Sequence, residues 1–160
     1  MQTLRSHSLN QWREDYMGYM WKVDFEPFND IPFHIAFHFP LGLPGMVDCC
    51  FSAGTLVRTS EITQNEEDVF QLVSPGRGAL LSEQRGRQLQ LRRNEATLLY
   101  GAERSRLGSP TGIRGIGIMA PREEFEKRSV RPDDAVMTPP EARLLALPNK
   151  PLLTFPRPIE

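Results

Sequence analysis

Two imidazoles in the stretch "HIAFH", His34 and His38, have the spacing with which a helix offers a pair of ligands to zinc. The pair has no Glu between them to act as a base, and the chain's one other histidine is His7, so a third ligand is not evident. A structural or hydrogen-bonding role is the expected one, with contact to a bound effector as the alternative, and no metal or cofactor is expected. The two cysteines, Cys49 and Cys50, are adjacent. Successive side chains of an extended segment point to opposite faces, which places neighbouring thiols badly for a bridge. They read as two reduced thiols in or beside the core. No Gly-x-Ser-x-Gly elbow is present, and neither cysteine lies near a histidine in sequence. The acidic groups Glu66-Glu67-Asp68, Glu123-Glu124 and Asp133-Asp134 fall in polar, turn-like or helix-start settings and read as solvated. No catalytic residue is expected.

The remaining candidate chemistry is cationic. Arg85, Arg87, Arg92, Arg93, Arg104, Arg106 and Arg114 are spread over one region rich in β-formers. Most should be surface residues. An inward-facing one, with Arg114 the foremost candidate, would hold a carboxylate effector by a bidentate contact. Nineteen Lys and Arg against 20 Asp and Glu give a net charge of -1, which argues against a dedicated nucleic-acid or membrane surface. No apolar run approaches the roughly 18 residues that a membrane span requires. The N-terminus "MQTLRSHSLNQW" lacks the apolar core of a signal peptide, so a cytoplasmic location is expected.

Whatever holds these groups is mostly strand. Trp12, Tyr16 and Tyr19 have helical spacing, and Trp21 and Phe25 continue it, so an aromatic helix is predicted near the start. Pro27 and Pro32 end it. "VDCCFSAGTLVRTSEIT" reads as two strands around Ala53-Gly54, and "DVFQLVS" as another. "GALLSEQ" and "RQLQLR" form a hairpin turning at Arg85-Gly86, and Leu89 and Leu91 alternate with Gln88 and Gln90. Asn94 suits the next turn because it tolerates the left-handed conformation. "ATLLYG" is a further strand. "GIRGIGIMAP" is the last, with Ile116 and Ile118 on one face and Gly115 and Gly117 on the other. Its glycines match a loose dinucleotide fingerprint, but they sit inside a strand rather than between strand and helix; they are better read as leaving room inside a barrel or admitting a close neighbour. Short helices follow in "APREEFEKR" and "TPPEARLLAL", before a proline-rich tail.

This order of elements, with "GRGALLSEQRGRQLQLRRNEATLLYGAERSR" and "MAPREEFEKR" as its clearest parts, resembles the N-terminal, cupin-like sensor domain of AraC-type transcription regulators. Gly78, Gly86 and Arg93-Asn94-Glu95 stand where the family has a strand-opening Gly, a hairpin Gly and a Pro-Gly-Asp turn; here Asn would do the work of Gly and Glu that of Asp. The resemblance implies a mainly β fold: a cupin-like double-stranded β-helix barrel with an N-terminal helix and one or two short C-terminal helices. Residues 1–30 would be an aromatic helix or arm, 31–120 the barrel, and 121–160 the helices and linker toward a helix-turn-helix DNA-binding domain outside this chain. The expected function is effector sensing and homodimerisation, with DNA met only through that other domain. A cupin-type metalloenzyme and a stand-alone ligand-binding or structural dimerisation module are the alternatives. The expected effector site comprises the inward side chains of Phe70, Leu72, Leu80, Ser82, Ile116 and Ile118, with Trp21, His34, His38 and Arg114 around it.

Overall fold

The computed structural model describes residues 2–16, 22–28, 32–40, 45–63, 68–127 and 131–137. Trp21, Tyr19 and the helix predicted in "TPPEARLLAL" lie outside the described residues. Eleven strands are described: β1 (Gln2–Ser6), β2 (Asp24–Pro27), β3 (Ile35–Phe39), β4 (Met46–Phe51), β5 (Gly54–Arg58), β6 (Val69–Arg77), β7 (Leu80–Gln84), β8 (Arg87–Leu91), β9 (Thr97–Tyr100), β10 (Ser105–Ser109) and β11 (Ile113–Pro121). They form two antiparallel sheets, one ordered β1-β3-β4-β11-β6-β9 and the other β2-β5-β10-β7-β8. The mainly β architecture expected from the sequence is present, as two antiparallel sheets facing each other.

The strand-forming signals of the middle region are realised closely. Arg85 and Gly86 connect β7 to β8 with φ of 55° and 70°, two left-handed residues whose twist matches that of the flanking strands. Asn94 adopts φ 70°, and the Glu95 carboxylate accepts the Arg92 N–H at 2.6 Å. Asn and Glu therefore do the turn-forming work expected of them. Leu91 is fully buried, while Gln88 and Gln90 are exposed.

The expected aromatic arm takes a different form. Residues 2–6 pair with β3, and residues 24–27 pair with β5, so each sheet recruits a strand from the first 30 residues. What remains helical is one short run: α1 (Leu9–Gln11) passes directly into a π-helical turn at Trp12–Tyr16. Of the aromatics with helical spacing, Trp12 and Tyr16 lie in this run, whereas Phe25 lies in β2, where pairing with β5 overrides local preference. Strand β10 escaped sequence reading for a related reason: "SRLGS" is rich in residues typical of turns, yet it lies between β5 and β7.

At the C-terminal side, α2 (Ser60–Thr63) follows β5, α3 (Arg122–Glu126) follows β11, and α4 (Pro132–Ala135) follows in turn. Val136 then bridges Leu98 of β9, and the Met137 N–H donates to the Leu98 carbonyl at 3.0 Å. Met137 is fully buried and receives the Ser82 hydroxyl at its sulfur, 3.4 Å away.

Phe25, Phe33 and Phe51 pack edge to face at the contact of the two sheets, with centroid separations of 5.2 and 5.8 Å around a fully buried Phe25. Replacing Phe25 with Ala should lower unfolding free energy by about 3–5 kcal/mol, the usual loss for a buried phenylalanine, measured by denaturant melts.

Candidate functional site

Between the sheets lies a partly open, mainly apolar cavity of about 60 Å³. Its walls come from β1, β3, β4, β5, β6, β7, β10 and β11, with Trp12 and Val23 closing one side. The Trp12 indole N–H donates to the Val23 carbonyl at 3.2 Å, and its ring lies 5.4 Å from Phe37. Among the described residues, Trp12 is the N-terminal aromatic that lines the lumen.

Strand register decides what faces inward. Cross-strand partners of a pleated sheet project to the same side. On β11, Ile113, Gly115 and Gly117 are buried, whereas Arg114 and Ile118 are exposed and Ile116 is half-buried. Gly117 pairs with Val47 and Val73, and Gly115 with Cys49. The lumen therefore sees Ile113, Gly115 and Gly117, an inversion of the expected face, although Ile116 of the expected inward pair lines the cavity as well. Ile116 touches the cavity wall; Ile118 does not line it. The same inversion applies to β6. Gln71 and Val73 line the cavity, while Leu72 alternates outward and Phe70 is buried beneath the C-terminal helices, stacked on Tyr100 at 4.9 Å and against Phe125 at 5.6 Å. On β7, Leu80 lines the cavity as expected, and Ser82 is committed to Met137. The alternation was legible in the sequence; the choice of face was not, because residue size could not reveal which side lay against the second sheet.

The polar candidates also separate. Arg114 lies on the outer face, where it is held by Asp48 at 2.9 Å with most of its side chain in solvent. It cannot serve an effector in the lumen. His38 meets the Thr3 hydroxyl at 3.0 Å, and His34 meets His7, their Nδ1 atoms 3.4 Å apart. Desolvation, followed by the neighbouring His7 and Arg5 charges, lowers the His34 pKa and keeps its imidazole neutral. The two "HIAFH" imidazoles share the outer face but serve different partners. Among the described residues, no three His, Cys, Asp or Glu groups are gathered as a metal would require.

Gln71 is the group that sequence reading passed over. It is 4% exposed, lines the cavity, and its Oε1 has no hydrogen-bond partner among the described residues. Its signal was present: a lone amide between apolar neighbours in "VFQLVS". Cys49 shares the lumen with it, and burial pushes this thiol up to about 12. Cys50, on the outer face, is raised by burial and opposed by Arg114.

A second, open cleft of about 800 Å³ is polar, and Arg58, Arg85, Arg104 and Arg106 line it with Glu83 and Glu103. Arg85 grips Glu103 through two nitrogens at 2.7 and 2.9 Å, Arg106 meets Glu26 at 2.6 Å, and the buried Arg58 donates to the Gly101 carbonyl at 2.6 Å. Beside it, Arg122 holds Asp68 at 2.6 Å and also binds Asp133, over the faces of Phe70 and Tyr100.

No protein-family model and no curated protein sequence matches the chain. Solved structures do. The AraC-like transcriptional activator CuxR matches with a TM-score of 0.66 at 15% identity over 80% of this chain. The chain spans about half the length of that activator, 49%. The Clostridium difficile EutQ protein matches at TM-score 0.44 and 15% identity, over 56% of this chain and 69% of its own. The cupin domain of an XRE-family transcriptional regulator from Enterobacter cloacae does so at 0.44 and 15%, over 55% and 96%.

The two thiols should differ sharply in reactivity. At pH 8, a rise from 9.0 to about 12 leaves Cys49 with about a thousandfold less thiolate than an ordinary cysteine. Cys50→Ser should therefore remove most native-state labelling by a thiol reagent, and Cys49→Ser little; equal labelling of both variants would contradict the assigned faces. The likeness expected from the sequence is thus real at the level of fold: this chain shares the fold of about half of an AraC-like transcriptional activator.

Proposed function

We propose that this chain is the effector-sensing and dimerisation domain of an AraC-type regulator, acting on a helix-turn-helix domain outside it. The observation that carries this reading is an apolar lumen between the two sheets whose walls are tied to both ends of the described chain. Trp12 closes it on the N-terminal side. Met137 is buried against the barrel at Ser82 and Leu98 on the C-terminal side. Occupancy of the lumen would favour one arrangement of these ends, and that bias is the physical content of a sensor. Cavities of this kind, mostly apolar with few polar anchors, suit small-molecule recognition better than bond-making.

The metalloenzyme alternative has less support. His34 and His38 do not converge, and among the described residues no imidazole or carboxylate lines the lumen. Metal analysis after purification separates the two readings: stoichiometric iron, manganese or zinc lost on changing His34 or His38 would favour the enzyme. A thermal-shift screen of small acids, sugars, alcohols and aromatics tests the sensor directly. A compound at 100 times its Kd should add about 2.7 kcal/mol to apparent stability. A silent screen, with a dimer that persists unchanged, would make the chain a structural module instead.

The C-terminal lock should be pH-dependent. Hydrogen bonds from Arg122 and then Arg85 hold the Asp133 carboxyl below its ordinary value. A depressed native pKa stabilises the fold above the unfolded value and loses that contribution as pH falls through the native one. The pair is partly exposed, so the effect should be small, roughly 0.2–1 kcal/mol. Amide-exchange protection of residues 131–137, corrected for the intrinsic pH dependence of exchange, should fall below about pH 4, and Arg122→Ala should weaken this dependence.

A further inference from the structure

Strand β1 is the edge of the larger sheet and pairs with β3 alone, from Gln2↔Phe39 to Ser6↔Ile35. Its Leu4 lines the lumen, and the chain runs on through His7 and α1 to Trp12, which lines it too. Whatever holds the Ser6 end of β1 therefore also holds part of the lumen wall.

That end is held by two imidazoles. The Nδ1 atoms of His7 and His34 lie 3.4 Å apart, and the ring centroids 4.9 Å. Such a contact has one ring donating and the other accepting, so it needs an unprotonated nitrogen. Protonating the acceptor removes the hydrogen bond and sets two cations against each other. The rings are anchored unequally. The His34 backbone is fixed twice to Ser52: its N–H donates to the Ser52 hydroxyl at 3.2 Å, and its carbonyl accepts the Ser52 N–H at 2.8 Å. His7 is exposed and belongs to the connector between β1 and α1. Repulsion between the rings is therefore relieved by moving β1 rather than β3. The same movement returns the His34 ring to water.

The surrounding charges act in the same direction. Arg5 of β1 adds a further positive charge near His34. On β3, His38 meets the Thr3 hydroxyl at 3.0 Å, a partner that donates or accepts and so tolerates either charge state. On β4, Cys50 and Asp48 stand opposite Ala36 and His38, and Asp48 is held by Arg114. Glu14 and Asp15 of the π-helical turn are exposed. Among the described residues no carboxylate bonds either ring to offset a second proton.

We infer that His7 and His34 form a proton-sensitive latch: with one proton between them they hold β1 on β3, and a second proton releases the Ser6 end of β1 and opens the lumen on the Trp12 side. This goes beyond the sensor reading and does not depend on it, because the latch is read without any ligand. The direction follows from His34, whose pKa is lowered by desolvation first and then by His7 and Arg5. A base whose native pKa lies below its unfolded value of 6.5 keeps its contribution above that value and loses it as the pH falls below it.

The test is amide hydrogen exchange of the whole chain from about pH 8 to about pH 5, the range in which histidine changes charge, corrected for the intrinsic pH dependence of exchange. This range lies above that of the carboxylates, so the Asp133 contacts stay intact across it. Protection of β1 and of the Trp12 indole N–H should fall by about threefold or more relative to β4 and β11. His7→Gln and His34→Gln, neither of which can take up a proton there, should flatten the dependence. A ratio that stays level across the range overturns the latch, and so does a fall that both variants retain. Should a variant not fold, an NMR titration of the two rings in the native chain decides: His34 must gain its proton as β1 loses protection, and a ring that titrates without that loss overturns the assignment. None of these outcomes bears on the thermal-shift screen, which tests the sensor reading separately.

Discussion

Strand β11 runs between β4 and β6 near the middle of the larger sheet, and where it faces the second sheet it carries Gly115 and Gly117. The rest of the site depends on that absence of bulk. A side chain at 117 would collide with the Gln71 amide and a Val47 methyl from the two flanking strands. Interiors pack to crystal-like density, so a position without a side chain must either be filled by neighbours or leave a space. Here it does both: the Gln71 amide fills part, and the remainder is the lumen. Glycine in a central strand weakens it by its entropy and its lack of contacts. Pairing to two neighbours along the whole of β11, with Ile113 buried at its start, compensates for that weakness.

The interior and the outer face handle polarity by different rules. Outside, Asp48 and Arg114 pair across β4 and β11, and Arg122, Asp68, Asp133, Arg85 and Glu103 form a connected set that ties α3 and α4 to the barrel. Exposed pairs of this kind contribute little singly and act mainly by fixing geometry. Among the described residues no Lys, Arg, Asp or Glu lines the cavity, and two buried glutamines differ: Gln84 is bonded at both ends, whereas the Gln71 oxygen has no partner. Near the C-terminal turn, aromatic stacking beneath a guanidinium joins the apolar and polar layers, with Phe70, Tyr100 and Arg122 in one pile.

How much of this could be read from residues alone varies by element. The hairpin β7-β8 and the turn at Asn94 were legible because each is set by interactions a few residues long: left-handed backbone at Arg85, Gly86 and Asn94, and a carboxylate reaching back three residues. The strands at residues 2–6, 24–27 and 105–109 were not, since their conformation is imposed by partners 30 to 50 residues away. The cationic candidate at Arg114 failed for the same reason. Its role depended on Asp48, which no local pattern connects to it.

The amino-acid order by itself determined that this chain is a set of short antiparallel strands with tight turns, that alternate residues of each strand differ in kind, and that reactive or metal-holding clusters are sparse. These follow from periodicity and turn chemistry, which act over a few bonds. Only the tertiary structure decided which alternate face looks inward. It turned Ile118 out and Gly115 and Gly117 in, and left the buried Gln71 oxygen without a partner among the described residues. A strand's two faces differ by one residue of register, and that choice is made by the sheet lying across from it.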